Sequence, residues 1–423
     1  MHDSQRYAAM IIDKILGGTN FDVAFENVFR NVKEFQHKSQ TKAITFGALR
    51  YMGQSKYLIE CLVRNKIENR LIESLIHVAL FQLSHESHSD FTIVDQAVKA
   101  AKKIDLRKGN FVNAVLRNFL RKKDTLTKGF LDQEESHFNY PIWWIQKVKK
   151  QYKSDWVDIL NIGNDHPPMT IRVNKQQISV KDYKKLLVEN DISFTPLINE
   201  GLILNNASNV KEIPGFDNGF LSIQDLGAQL ASLLLDVKND QLVLDACAAP
   251  GGKLTSILEN ANVHLTALEK NTYRVRKIID NLKRLNLEAT VIAKPLDNKN
   301  EWWNKKQFDR ILLDVPCSAS GIVRRHIDMK WLRRPSDLEK FANIQLDLLN
   351  NAWPLLKLQG KLLYVTCSIF KEENEEVISK FCDNRLDVKR EKVKFPKNIY
   401  HINNQLVPSK NHDGLYYEIL EKK

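Results

Sequence analysis

The sequence predicts a multidomain chain with an all-α N-terminal third, a small α/β insert, and a C-terminal α/β domain wound around a parallel sheet. Three observations predict it. No proline occurs before Pro141, and apolar residues in that stretch recur at helical spacing. A strand-like run opens at Met169 and is followed by a short helix and further strand-like runs. From Leu242 strands and helices alternate, the rhythm of βαβ units that bind ligands at the carboxyl ends of their strands. The expected domains are residues 1–140, 141–222 and 223–423.

In the first third, Ala8, Ile11, Ile12, Ile15 and Leu16 fall on one helical face, and Gly17 and Gly18 stop the helix. Ile72, Leu75, Ile76, Ala79 and Leu83 define a second apolar face, expected to be a buried central helix. Val112, Val115, Leu116, Phe119 and Leu120 define a third, with Asn110, Asn113, Arg117 and Arg121 on its opposite side. In the insert, M-T-I-R-V-N (169–174) reads as a strand and 179–190 as a capped helix. Short strands are expected at 192–195 and 202–204. In the last domain the expected strands are 242–245, 265–269, 290–293, 308–314 and 361–366. The expected helices start near Lys253, span 273–285 and run through about 336–357. Asp245, Glu269, Asp314 and Cys367 all fall at strand ends.

A net charge of +12 favours a polyanionic partner. Its distribution is more telling than its size, because the alternative is a set of lysines that only keep the protein soluble. Lys99, Lys102, Lys103, Arg107, Lys108, Arg117, Arg121, Lys122 and Lys123 face a single acid, Asp105, in one stretch. A second run, Arg324, Arg325, Lys330, Arg333 and Arg334, follows the D-V-P-C-S motif. Five cysteines without C-x-x-C spacing argue against a disulfide framework and a zinc site, so no metal is expected. His85 and His88 have no evident third ligand. With no apolar run near the ~18 residues of a membrane span and no secretory layout at the start, a cytoplasmic monomer is expected.

Three motifs carry chemistry. D-A-C-A-A-P-G-G-K (245–253) joins a strand to a helix through glycines that let backbone approach a ligand, and Glu269 stands at the next strand end to take ribose hydroxyls. The spacing is neither G-x-G-x-x-G nor a P-loop, which favours S-adenosylmethionine over a phosphate cradle. A plain tight turn is the alternative. D-V-P-C-S (314–318) and T-C-S (366–368) each end a strand-like run in a cysteine. Either cysteine alone could be a small buried apolar residue. Together with the loop they suit methylation of cytosine at C5, where a thiolate adding to C6 turns a poor carbon nucleophile into an enamine. Asp314 could hold the ring nitrogen and amine of a base taken out of its stack.

At these residues the chain resembles the RsmB (Sun/Fmu) family, bacterial 16S rRNA 5-methylcytosine methyltransferases, over essentially its whole length. G-N-F-V-N-A-V-L-R (109–117) resembles a NusB-like RNA-binding domain. I-R-V-N (171–174) and S-I-Q-D (222–225) resemble the segments leading into the catalytic domain, and the insert is expected to be RNA-recognition-like. C-A-A-P-G-G-K (247–253) resembles the S-adenosylmethionine loop of a Rossmann-like class I methyltransferase. Residues 308–332 and 364–374 resemble the two cysteine motifs, and D-G-L-Y-Y (413–417) the closing strand.

The resemblance implies that Cys247, Ala248, Ala249, Pro250, Gly251, Gly252, Lys253, Glu269 and Asp314 bind S-adenosylmethionine. It makes Cys367 the nucleophile and gives Cys317 a part in expelling the methylated base. The implied partner is 16S rRNA, with Lys102, Lys103, Arg107, Lys108, Arg117, Arg121, Arg324, Arg325 and Lys330 the candidate RNA contacts. Where the family usually shows a Gly-Asp at the adenine, this chain has Lys294 and Pro295, with Asp297 the candidate substitute. Glu269 replaces the more usual Asp. Two rival readings remain open: a DNA cytosine methyltransferase attacking with the proline-flanked cysteine, and a non-catalytic RNA-binding factor.

Overall fold

The computed structural model describes residues 1–30, 32, 36–198, 201–206, 209–383 and 385–423. They form two compact units, one of Met1–Asp165 with Val323–Pro335, the other of His166–Ile322 with Ser336–Lys423. Among the described residues no helix is long and apolar enough to cross a membrane.

The first unit is helical: α1 (His2–Leu16), α2 (Phe21–Phe29), α3 (Gln36–Arg50), α4 (Met52–Leu62), α5 (Arg70–His85), α6 (Asp90–Ile104), α7 (Gly109–Lys128), α8 (Glu134–Phe138), α9 (Ile142–Gln151) and α10 (Trp156–Ile162). The Asn69 side chain caps α5 by accepting from Leu71 N and Ile72 N, and the apolar stripe expected there is buried at Ile72, Leu75, Ile76, Ala79 and Leu83. α1 crosses it with Ala8, Ile11, Ile12 and Ile15 fully enclosed. The unit runs beyond residue 140 because Pro141 does not break the chain there. It occupies the N-cap of α9, where a missing N–H costs no helical hydrogen bond.

The second unit carries two sheets. The smaller is antiparallel, in the order β2 (Phe194–Pro196), β3 (Gly201–Leu204), β1 (Met169–Val173), β4 (Leu221–Ile223), and is accompanied by α11 (Val180–Glu189). Ser179 caps α11, its hydroxyl accepting from Asp182 N at 3.1 Å. The larger sheet follows α12 (Leu226–Leu235). Its elements are β5 (Leu242–Asp245), α13 (Gly252–Asn260), β6 (His264–Leu268), α14 (Thr272–Leu285), β7 (Thr290–Ile292), β8 (Phe308–Asp314), α15 (Met329–Leu332, counted with the helical unit), α16 (Pro335–Ala352), β9 (Leu356–Thr366), α17 (Glu375–Cys382), β10 (Val388–Glu391), β11 (His401–Ile402), β12 (Gln405–Leu406) and β13 (Tyr416–Lys422).

The order β11-β12-β13-β9-β8-β5-β6-β7, with β10 beside β13, corrects the expectation of a parallel sheet. β5 to β9 are parallel, but β13 returns antiparallel against β9, and the short strands that flank it pair antiparallel too. Alternate residues of each strand feed opposite cores. Val243, Leu312, Leu363 and Tyr417 face α12 and α13, whereas Leu244, Leu313, Tyr364 and Leu420 lie on the side of α16 and α17. The chain leaves β5 in one direction toward β6 and the other toward β8, so the switch point lies at Asp245 and Asp314.

The segment Val323–Pro335 departs most from expectation, because two of its expected RNA contacts, Arg324 and Lys330, are buried. Lys330 is fully buried in the helical unit, donating to Asn139 O at 2.9 Å and Asn164 Oδ1 at 2.6 Å, with its ammonium over the Tyr140 ring. Burial holds its pKa well below the usual lysine value. Arg324 is buried as well, and Arg325 is half-buried. Trp331 Nε1 donates to Leu49 O at 2.7 Å, and Asp328 accepts from Phe21 N at 3.0 Å. Lys330, Trp331 and Asp328 thus pack into the helical unit, while Arg334 of the same run is exposed.

Candidate active site

The cofactor loop begins where β5 ends. Asp245 is almost wholly buried, and burial together with the charge of Asp314 pushes its carboxyl up to about 7, against the opposing pull of Lys253. The Cys247 N–H eases it electrostatically, yet neither carboxylate oxygen makes a hydrogen bond of normal geometry within the protein. A buried orphaned carboxylate is costly unless something binds it. Gly251 has φ +103°, a conformation side-chain-bearing residues rarely adopt, and a Cβ there would meet nothing closer than Ile278 at 3.6 Å. Open backbone beside an unsatisfied acid fits a ligand with a cationic group.

Glu269 follows β6 and is buried, accepting from Asn271 N at 2.9 Å and pairing with Arg274 at 3.2 Å. Arg274 also donates to Ala249 O at 2.7 Å, which ties the glutamate to the loop. Asp297, beyond β7, is exposed. Burial and the neighbouring acids hold the Cys247 thiol well above its ordinary pKa, so this cysteine serves the loop as a neutral side chain.

The two motif cysteines meet. Cys317 follows β8 and Cys367 follows β9, and their sulfurs lie 3.2 Å apart. The hydrogen bond to Cys367, then burial, then the charges of Cys367 and Glu373 hold the Cys317 thiol well above its ordinary pKa. Lys253 donates to Asp314 Oδ2 at 2.6 Å. Burial alone would lower the Lys253 pKa, but Asp314, Cys367 and Asp245 together leave it raised, so it stays a cation beside the thiols. Backbone seals the floor, with Gly321 N donating to Cys367 O at 2.8 Å and Gly414 N to Gly321 O at 2.9 Å. A Cβ on Gly321 would stand 2.0 Å from Gly414 O, so only glycine permits this approach.

Two residues that matter to this geometry were not singled out from the sequence. Arg172, on β1, reaches α13: its Nε donates to Glu259 Oε2 at 2.8 Å, its Nη2 to Glu259 Oε1 at 2.7 Å, and its Nη1 to Gly252 O at 3.0 Å. It thereby pins the first residue of the helix that follows the cofactor loop. A charged residue within the apolar run I-R-V was the available signal. Glu373 is fully buried between the cysteine loops, accepting from Ser318 and Ser368, and its signal was the acidic pair after T-C-S-I-F-K.

Of the expected RNA contacts, Lys102, Lys103, Arg107, Arg117 and Arg121 are exposed on the last turn of α6, the following turn and α7, and Lys108 is half-buried there. Lys103 pairs with Asp3, and Arg117 Nε donates to Asn113 Oδ1 at 3.1 Å. Lys123 turns inward, donating to Leu83 O at 2.6 Å.

A largely parallel sheet with a glycine loop after its first strand, an orphaned acid at the switch point and an acid at the next strand end defines an S-adenosylmethionine-dependent methyltransferase. Comparison with known proteins narrows this. Residues 232–421 match the family model 16S rRNA methyltransferase RsmB/F, 140–211 a Methyltr_RsmF/B-like ferredoxin-like domain, and 2–121 the NusB family. The chain is 37% identical over 411 residues to ribosomal RNA small subunit methyltransferase B of Pasteurella multocida, covering 92% of this chain and 91% of that one. The crystal structure of a methyltransferase homolog protein from Pyrococcus horikoshii superposes with a TM-score of 0.60 at 26% identity, over 70% of this chain and 99% of that one. The crystal structure of PH0851 shares the fold over 99% of both chains, with a TM-score of 0.79 at 24% identity. The chain belongs to the RsmB/F family of 16S rRNA methyltransferases, with a NusB-like helical domain and a ferredoxin-like domain before the catalytic one.

Proposed function

We propose that this protein methylates C5 of a cytosine in 16S rRNA through a covalent bond between Cys367 and C6 of the base, in the cytoplasm. The contact of the Cys317 and Cys367 sulfurs at the ends of β8 and β9 carries the reading. A single buried thiol is common; two in contact beside a Lys–Asp pair and a cofactor loop are what the chemistry asks for.

The residues around Asp245, Gly251, Gly252 and Glu269 would hold S-adenosylmethionine, which supplies an electrophilic methyl group when bound. The hydrogen bond to Cys367, burial and the neighbouring charges hold the Cys317 thiol well above its ordinary pKa. That favours Cys367 as attacker. Attacking as the thiolate, its sulfur forms a bond to C6, and the C5–C6 π electron pair shifts to make C5 nucleophilic. After C5 carries the methyl, a base removes the C5 proton. That electron pair rebuilds the double bond, and the C6–sulfur bond breaks to return the Cys367 thiolate. Cys317, against the departing sulfur, assists this release. Asp314, held by Lys253, would bond the cytosine edge or the cofactor. The exposed cations of α6 and α7 hold RNA through phosphates.

The test is transfer of a labelled methyl group to 16S rRNA and to matched DNA, followed by digestion to nucleosides. Label in 5-methylcytidine from RNA is expected. Label in another nucleoside, or on DNA alone, would overturn the proposal.

A further inference from the structure

Ser318 follows Cys317 and Ser368 follows Cys367, and both serines converge on one fully buried carboxylate, that of Glu373. It accepts from Ser318 N at 2.7 Å, Ser318 Oγ at 2.5 Å and Ser368 Oγ at 2.6 Å. Gln345 Nε2 approaches at 3.5 Å, and Ser320 Oγ lies 2.9 Å from Ser368 Oγ. A charge removed from water this completely is tolerated only when several donors satisfy it. The donors here come from both cysteine loops, 55 and 5 residues away in sequence.

We propose that Glu373 is a positioning residue, a clasp that holds Cys317 against Cys367 so that release of the methylated base keeps pace with methyl transfer. The inference rests on the two-thiol reading above and adds a residue that touches neither thiol's substrate. A carboxylate suits the task because its two oxygens accept from several donors at once, whereas an amide would turn an NH2 group toward at least one of them. Precision matters here because a misplacement of about 1 Å can cost a reaction step roughly a hundredfold. The charge of Glu373 also contributes to keeping Cys317 protonated.

The experiment compares Glu373→Gln with the parent, with Cys317→Ala and with the Glu373→Gln/Cys317→Ala double variant. Measured are S-adenosylmethionine affinity by calorimetry, kcat and KM on 16S rRNA, and the fraction of protein in a denaturant-resistant RNA adduct. In Glu373→Gln the cofactor affinity and the KM for RNA should stay within twofold of the parent. Its kcat should fall at least tenfold while adduct accumulates, and in the Cys317→Ala background the same change should alter the adduct by less than twofold. Full turnover by Glu373→Gln overturns the clasp. So does lost turnover without adduct, in both backgrounds, which is the result of a merely structural role. If Cys317→Ala alone traps nothing, the two-thiol reading has failed and the clasp with it, an outcome distinct from the other two. Should Glu373→Gln not fold, Ser318→Ala removes one arm of the clasp. Release slowed at least threefold is then expected, and unchanged release refutes the proposal.

Discussion

Replacing Arg172 by alanine tests how the small sheet and the cofactor loop are joined. Arg172 and Glu259 are both buried, and the guanidinium grips the carboxylate through two bonds of 2.8 and 2.7 Å, with a third to Gly252 O at 3.0 Å. The alanine variant leaves Glu259 enclosed without its counter-charge. Breaking one partner of a buried pair costs roughly 3–5 kcal/mol. For a domain of this size each kcal/mol lowers the midpoint by about 2–4 °C, so a drop of roughly 6–20 °C is expected. Differential scanning calorimetry reads it on the transition that S-adenosylmethionine shifts upward, which identifies the catalytic unit. Releasing the Gly252 carbonyl should also weaken cofactor binding. Arg172→Lys keeps the charge but loses the planar fork, and should fall between parent and alanine. The double variant Arg172→Met/Glu259→Leu should recover much of the loss, since a buried pair replaced by apolar side chains is often neutral. A midpoint within about 2 °C of the parent for Arg172→Ala would refute the reasoning, because a cost of a few kcal/mol could not hide in so small a shift.

Reversing Arg117 and Arg121 to Glu should weaken RNA binding at every sequence and reduce the salt slope by about one for each phosphate no longer held, with cofactor affinity unchanged; filter binding across a salt series checks it. Glu269→Ala should weaken S-adenosylmethionine by roughly 1.5–3 kcal/mol, about 10- to 150-fold, for lost charged hydrogen bonds, as read by calorimetry. An equal loss in Asp297→Ala would show that the exposed acid has taken the adenine side. Asp245 supplies a pH dependence. Its carboxyl titrates near 7 in the free protein, so a cofactor cation that needs the charged form must expel a proton below that pH. Affinity should therefore rise as pH increases toward and through 7 and level off above it. Calorimetry in buffers of different ionisation heats should detect proton release at pH 6, absent in Asp245→Asn.

The central helix, the cofactor loop and the strand ends bearing Asp245, Asp314 and Cys367 were legible because each depends on local periodicity or a short motif. The meeting of Cys317 with Cys367 was not legible from spacing alone. It follows from β8 and β9 being adjacent parallel strands in register, Asp314 beside Val365. What escaped depends on distant partners. Lys330 reads as a solvated cation until Asn139, Tyr140 and Asn164 close around it. The closing strand was expected from D-G-L-Y-Y, but the antiparallel direction of β13 escaped because a strand's own residues carry no mark of its direction. Arg172 escaped because its value lies in Glu259, on a helix that the strand's own pattern says nothing about.

The most direct test of the central claim is a denaturing gel of the two cysteine variants after incubation with 16S rRNA and S-adenosylmethionine. If Cys367 attacks C6 and Cys317 serves release, Cys367→Ala should be inactive and run free of RNA, because nothing covalent forms. Cys317→Ala should run as a shifted, denaturant-resistant complex, because the methylated adduct forms and is not expelled. The reverse pattern, Cys317→Ala inert and Cys367→Ala trapped, would contradict the account and make the proline-flanked cysteine the nucleophile.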